Sequence, residues 1–150
     1  MIQFFVNGIP ATAGSKTPFI YKSKKDGKQR VAMCPANKKQ KPWMAQVRAV
    51  AVENYKGAPL SGPISMSLVF YLPRPKSHFG SGKNADKLKP SAPDYPTTRP
   101  DLTKLLRAVE DALKGVVWRD DSQVVFQRIA KDYCDTTCPT PGVFVVIEEI

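Results

Sequence analysis

The sequence predicts an α+β domain: one mixed β-sheet with two main helices packed on one face. Three observations carry that expectation. The chain has 150 residues, the size of a single domain spanning 1–150. Hydrophobic residues make up 42%, which is globular composition with enough apolar surface for a core that needs no disulfide or metal. The apolar period then switches between 2 and 3.6 along the chain, giving the order β-β-α-β-α-β-β. No apolar run approaches the ~18 residues of a membrane span, so an integral membrane protein is excluded.

Each element has its own signal. Gln3 to Ile9 contains Phe4, Phe5 and Val6 and reads as a strand that Pro10 ends. The first ten residues lack a basic n-region and a small-residue cleavage site, so they do not read as a signal peptide. Ala11 to Gln29 is rich in Lys, Gly, Ser and Thr and reads as a loop, mobile without a ligand. Arg30 to Cys34 reads as a short strand. From Pro42 to Asn54, Trp43, Val47, Val50 and Ala51 fall at helical spacing behind a proline suited to a first turn. Ile64 to Leu72 alternates, with Ile64, Met66, Leu68 and Phe70 on one face.

Residues 73–100 hold six prolines and no core of their own, and read as a long loop that orders on binding. Asp101 to Lys114 is the strongest helix. Leu102, Leu105, Leu106, Val109 and Leu113 share one face, and Gly115 stops it. Ser122 to Asp132 and Val143 to Ile150 read as strands, and Phe144 and Val146 are candidates for an interface between subunits.

Charge is distributed unevenly. Lys and Arg total 23 against 13 Asp and Glu, a formal net charge of +10. From Lys16 to Lys56 eleven basic residues face two acidic ones, Asp26 and Glu53. A surplus of that size predicts a polyanionic partner, nucleic acid first and an acidic membrane surface second. The candidate phosphate contacts are Lys16, Lys22, Lys24, Lys25, Lys28, Arg30, Lys38, Lys39, Lys41 and Lys104. Acidic residues concentrate between Arg99 and Asp132, where six nearly balance seven basic ones. A pure DNA binder has no use for that cluster, because carboxylates repel phosphate. A nuclease does, because carboxylates hold a cation.

Within that window Asp101 opens the helix, and Asp120 and Asp121 follow it. Mg²⁺ takes oxygen ligands, and two or three Asp are suited to it. Each residue also has an ordinary use. Asp101 is a good N-cap, which spacing alone favours, and Asp120 and Asp121 suit a turn. Glu110 with Lys114 and Arg107 with Asp111 are i, i+4 pairs of a solvated face. A helix of about fourteen residues is ~20 Å long, so Asp101 and Asp121 share a cation only if the chain doubles back or a second subunit brings its copy close. The three cysteines, Cys34, Cys134 and Cys138, read as free thiols of a reducing compartment. The lone His78 makes a zinc site with them a poor expectation.

The window resembles the RusA family of Holliday-junction resolvases, small endonucleases of bacteria and their phages. The residues that carry the resemblance are Asp101-Leu102-Thr103-Lys104-Leu105-Leu106-Arg107, Asp111-Ala112-Leu113, Trp118, and Asp120-Asp121-Ser122-Gln123-Val124-Val125. The resemblance implies a cytoplasmic homodimer that binds a four-way DNA junction and makes paired nicks with Mg²⁺, for which Mn²⁺ is a possible substitute. It implies Asp101 and Asp121 as catalytic metal ligands, Asp120 as a neighbouring carboxylate on the metal, and Arg107 in place of a catalytic lysine. Thr103 stands where the family has a second Asp. That departure keeps a second expectation open, an inactive protein that binds branched DNA by shape. An RNA-binding accessory protein is a third, and it leaves the acidic window unexplained.

Overall fold

The computed structural model describes residues 1–14, 16–35 and 37–150, and the side chains of these apart from residues 16, 17, 34 and 35. The elements are β1 (Ile2–Asn7), β2 (Lys16–Lys22), β3 (Gln29–Pro35), α1 (Gln40–Asn54), β4 (Ile64–Leu72), α2 (Leu102–Leu113), β5 (Val124–Tyr133) and β6 (Gly142–Glu149). Four strands form a mixed sheet in the order β1-β6-β4-β5. β6 pairs antiparallel with both β1 and β4, and β4 pairs parallel with β5. A parallel pair requires a crossover, and residues 73–123 with α2 supply it. That requirement puts the acidic window on a crossover beside the edge strand β5.

The alternation in β4 is realised in full. Ile64, Met66, Leu68 and Phe70 are buried on one face, beside Phe4 and Val6 of β1 and Val143, Val145 and Ile147 of β6. Both helices close the same face. Trp43, Val47 and Ala51 come from α1, and Leu105, Leu106, Val109 and Leu113 from α2. Gly8 has φ +131°, and a Cβ there would stand 3.3 Å from the Trp43 ring, so glycine is needed on both counts. The other sheet face carries Phe5, Phe144, Val69 and Tyr71, and no described element covers it. Phe5 and Tyr71 lie with ring centroids 6.3 Å apart.

One expectation needs correction. The segment 11–29 is not simply a loop, because β2 and β3 pair antiparallel as a two-stranded hairpin, which adds a strand to the expected order. Its turn is built from local bonds. Ser23 N–H donates to Lys28 O (2.9 Å), Gly27 at φ +68° donates to Ser23 O (2.8 Å), and Asp26 accepts the Lys28 N–H (3.1 Å). The Lys, Gly and Ser composition of that turn masked the apolar runs on either side. The Pro-rich segment 73–100 is tied to the body of the domain. Arg74 stacks 4.3 Å over the Tyr133 ring and donates to Pro93 O at 2.7 Å. His78 meets the Tyr133 ring edge-on at 5.3 Å. Lys131 Nζ donates to Thr98 O (2.8 Å) and Pro100 O (2.9 Å). Those bonds tie the loop to β5 and fix where α2 begins.

Candidate functional site

The C-terminal end of α2 holds the better-built half of the acidic window. Gly115, at φ +78°, turns the chain out of the helix, and residue 114 bridges back to residue 118. Val117 and Trp118 drop into the core and are fully buried. The Trp118 Nε1–H then donates to Asp121 Oδ1 at 3.0 Å, so the core orients that carboxylate. Asp120 caps the short 3₁₀ turn Asp121–Gln123. Its carboxylate accepts the Ser122 N–H (3.0 Å), while Gln123 Oε1 accepts the N–H groups of Asp120 (2.8 Å) and Arg119 (2.9 Å). The Gln123 amide anchors this turn to the preceding strand's entry by donating to Leu60 O and Gly62 O, both at 2.9 Å.

Lys114 sits against this pair, its Nζ 3.1 Å from Asp120 and 3.7 Å from Asp121. The Ser122 bonds, with Lys114 beside them, hold the Asp120 carboxyl down to about 2. The same two aspartates push the Lys114 ammonium up. Glu110, one turn earlier on α2, is half-buried and accepts a bond from the Gln127 amide of β5. Burial first, and the Asp121 charge second, push its carboxyl up. A Glu destabilised by a neighbouring carboxylate marks a patch of concentrated negative charge.

The N-terminal end of α2 is different. Asp101 occupies the N-cap position, yet its side chain makes no capping bond. It is exposed and, among the described residues, its ion pair is with Lys104, at 3.6 Å. The cap that spacing favoured is therefore not used, and the carboxylate stays available. It lines an open cleft with Thr12, Arg99, Pro100 and Lys104. Thr103 and Arg107 are exposed on the following turns, with Arg107 close enough to Glu110 to ease its ionisation.

One protomer does not bring these carboxylates together. α2 has twelve residues and is about 18 Å long. After Gly115 the chain does double back, but β5 starts beside the helix C-terminus and reaches its N-terminus only at Lys131. Asp120 and Asp121 consequently stay at one end and Asp101 at the other. Among the described residues no three His, Cys, Asp or Glu side chains form a group able to hold a metal ion. The donor chemistry, exposed carboxylate oxygen, fits Mg²⁺, and the set in a single chain is incomplete.

The expected phosphate contacts fall into two groups. Lys22, Lys24, Lys25, Lys28 and Arg30 are exposed on the β2–β3 hairpin, where Arg30 is ion-paired with Asp26. Lys38, Lys39 and Lys41 are exposed at the start of α1, which has no acidic residue in its first turn. Basic residues there oppose the helix dipole, so stability does not explain them. Lys104 stands beside Asp101. The Lys16 side chain and Cys34 lie outside the described side chains. Sequence reasoning missed Glu110 and Lys114, assigning them to each other as an i, i+4 pair. Only the return path of β5 and the turn at Gly115 reveal their partners.

A basic α+β domain with lysine-rich surfaces beside a crossover helix that carries carboxylates has the character of a protein that acts on nucleic acid. The chain belongs to the RusA endodeoxyribonuclease family, matching it over residues 17–148. It is also 34% identical over 149 residues to YqaN of Bacillus subtilis (strain 168), an uncharacterized protein, covering 99% of this chain and 96% of that one. Family membership supports the role of an endodeoxyribonuclease that resolves Holliday junctions. No helix among the described residues is long and apolar enough to cross a membrane.

Proposed function

We propose that this chain is a Mg²⁺-dependent, structure-selective endodeoxyribonuclease. It resolves four-way DNA junctions as a homodimer, in recombination and repair, in the cytoplasm of a bacterial or phage-infected cell. The reaction is phosphodiester hydrolysis, leaving 5′-phosphate and 3′-hydroxyl ends. The observation that carries the reading is that the family's two acidic elements are both present at opposite ends of one helix, with Asp101 and Asp120 exposed and Asp121 half-buried.

That placement asks for a second copy. The strand β5 is an open edge of the sheet, with Val125 and Phe126 exposed. An open edge is a template for pairing. A two-fold axis near the middle of β5 sets α2 antiparallel to its copy. Asp101 of one protomer then meets Asp120 and Asp121 of the other, twice per dimer. Each complete site would hold Mg²⁺, with Mn²⁺ as a substitute, which supplies Lewis-acid polarisation and a bound water of lowered pKa.

The chain's own residues do the rest. Asp101 and Asp121 bind the cation. Asp120 is committed to its turn and to Lys114, and adds negative field. Arg107 lies between the two ends of α2 and holds the scissile phosphate with a fork-shaped donor rather than the point charge of a lysine. Lys104 screens Asp101 from the approaching backbone. The lysines of the hairpin and of the α1 start grip the junction arms through phosphates.

The test is a synthetic four-way junction incubated with Mg²⁺ or Mn²⁺ and wild-type protein, Asp101→Asn or Asp121→Asn. Metal-dependent paired nicking by wild type, lost in both variants with junction binding kept, is expected. Binding without nicking across both metals favours a second reading, a junction-binding protein without activity. The exposed Thr103 in the family's second Asp position is the observation that speaks for it.

A further inference from the structure

The β2–β3 hairpin has more apolar surface than phosphate gripping requires. Its strands pack on each other and, among the described residues, make no substantial contact with the sheet or helices. Apart from the half-buried Ser23 and Ala32, every residue from 18 to 33 is exposed. Register sorts the side chains onto two faces. Phe19 and Tyr21 share one, with Ala32 and Arg30 directly opposite them. Pro18, Ile20, Val31 and Met33 share the other. Phe19 is 47% exposed, Tyr21 42%, Ile20 70%, Val31 66% and Met33 55%. The two rings lie 6.0 Å apart at a tilt of 42°, packed against each other but each open on its outer side.

A surface element normally has one apolar face, turned to the body. A ribbon that is apolar on both faces is suited to insertion between two apolar layers. An isolated two-stranded hairpin is marginal in water, so this one gains most from such an occupant. Its charge says which. Residues 16–35 carry five Lys and one Arg against one Asp, and Lys24, Lys25 and Lys28 sit at the tip. A cationic ribbon with aromatic and aliphatic flanks matches stacked bases bounded by phosphates. It does not match the interior of another protein, where the lysines would be desolvated. Apolar and aromatic side chains are the usual wedges between base steps and the usual platforms for unpaired bases.

We infer that the hairpin is a wedge that enters the branch point of the junction. Phe19 and Tyr21 stack on bases opened at the crossover, Ile20, Val31 and Met33 lie against the facing base pairs, and Lys24, Lys25 and Lys28 cross to the phosphates beyond. The inference rests on the reading of the chain as a junction-binding protein, and it assigns the recognition of branching to this hairpin. Two-way duplex offers no opened step, so the wedge separates junction from linear DNA.

The experiment places 2-aminopurine at the crossover of a synthetic four-way junction, without divalent metal, and measures fluorescence and affinity beside a linear duplex of the same sequence. Wild type is expected to raise the fluorescence as the base unstacks. Phe19→Ala/Tyr21→Ala and, separately, Ile20→Ser/Val31→Ser should each lose that rise and about tenfold or more in junction affinity, with duplex affinity unchanged. Lys24→Ala/Lys25→Ala should weaken both substrates by the same factor and lower the salt dependence of each. All four side chains of the two apolar variants are solvent-exposed, and circular dichroism confirms that the body is folded. Wild-type fluorescence and affinity in both apolar variants would overturn the wedge. So would conversion of a dimer to a monomer by either variant in sedimentation, which would mean that the hairpin covers a second copy. The two proposals separate cleanly. A fluorescence rise without Mg²⁺-dependent nicking retains the wedge and refutes the nuclease, and nicking without a rise does the reverse.

Discussion

The two ends of α2 carry the same functional group in opposite circumstances. At the C-terminal end every carboxylate is already employed. Asp120 closes a turn and pairs with Lys114, Asp121 accepts a bond from a buried tryptophan, and Glu110 is bonded to Gln127. At the N-terminal end Asp101 stands at a capping position without capping and contacts one exposed lysine. The carboxylate at the start of the helix makes no capping bond and is held only by an exposed ion pair, while the charges crowded at its end each have a built partner. On the proposed reading, the C-terminal end is a preorganised half-site and Asp101 is the ligand a second copy contributes. Among the described residues, neither end alone gathers three such donors.

Activity should distinguish the two ends of α2 most strongly. Asp101→Asn should reduce Mg²⁺-dependent nicking by about 10²–10³-fold, the size lost when one preorganised charge-stabilising group is removed. Its urea midpoint should match wild type, because no cap bond is lost. Asp121→Ala should cost activity to the same degree and stability as well. It strands the buried Trp118 Nε1–H, at about 1–3 kcal/mol. Asp121→Asn keeps an acceptor for that N–H and should lose activity with most of the stability intact. Denaturant melts of the three variants read this contrast directly.

Smaller effects follow from protonation. Asp120 is held down to about 2, below an unfolded value of ~3.9. Its contribution is therefore complete above the unfolded value and disappears as pH falls through about 2. The stability gap between wild type and Asp120→Ala should close over that window, followed by thermal melts from pH 5 to pH 2. Glu110 has the opposite sign. Its folded value is raised, so its stabilisation is present below the unfolded value and lost as pH rises. Glu110→Gln keeps an acceptor for Gln127 and should raise the urea midpoint slightly at pH 7, with no gain at pH 3.

Most of the body was legible because its signals are local. The alternation of Ile64 to Leu72 and the leucine stripe of α2 each specify one buried face, and the structure buries those residues. The hairpin was half legible. Arg30 to Cys34 read as a strand, while its partner was hidden by a lysine-rich turn whose geometry depends on Ser23, Asp26 and Gly27. The acidic residues were legible as candidates, and their partners were not. Whether Lys114 faces Glu110 or Asp120 depends on the turn at Gly115, and whether Asp121 meets Asp101 depends on the direction in which β5 returns. Both are long-range outcomes of packing that spacing along one helix does not encode.

The most direct measurement mixes two inactive proteins. Asp101→Asn and Asp121→Asn are co-refolded in equal amounts and assayed on the four-way junction with Mg²⁺. A site shared across the dimer places both substitutions in one centre of each mixed dimer and leaves the other centre intact. The mixture should then regain Mg²⁺-dependent cutting of one strand per junction, at roughly a quarter of the wild-type site number. Wild-type nicking with no recovery in the mixture, once mixed dimers are verified by mass, would contradict the shared site.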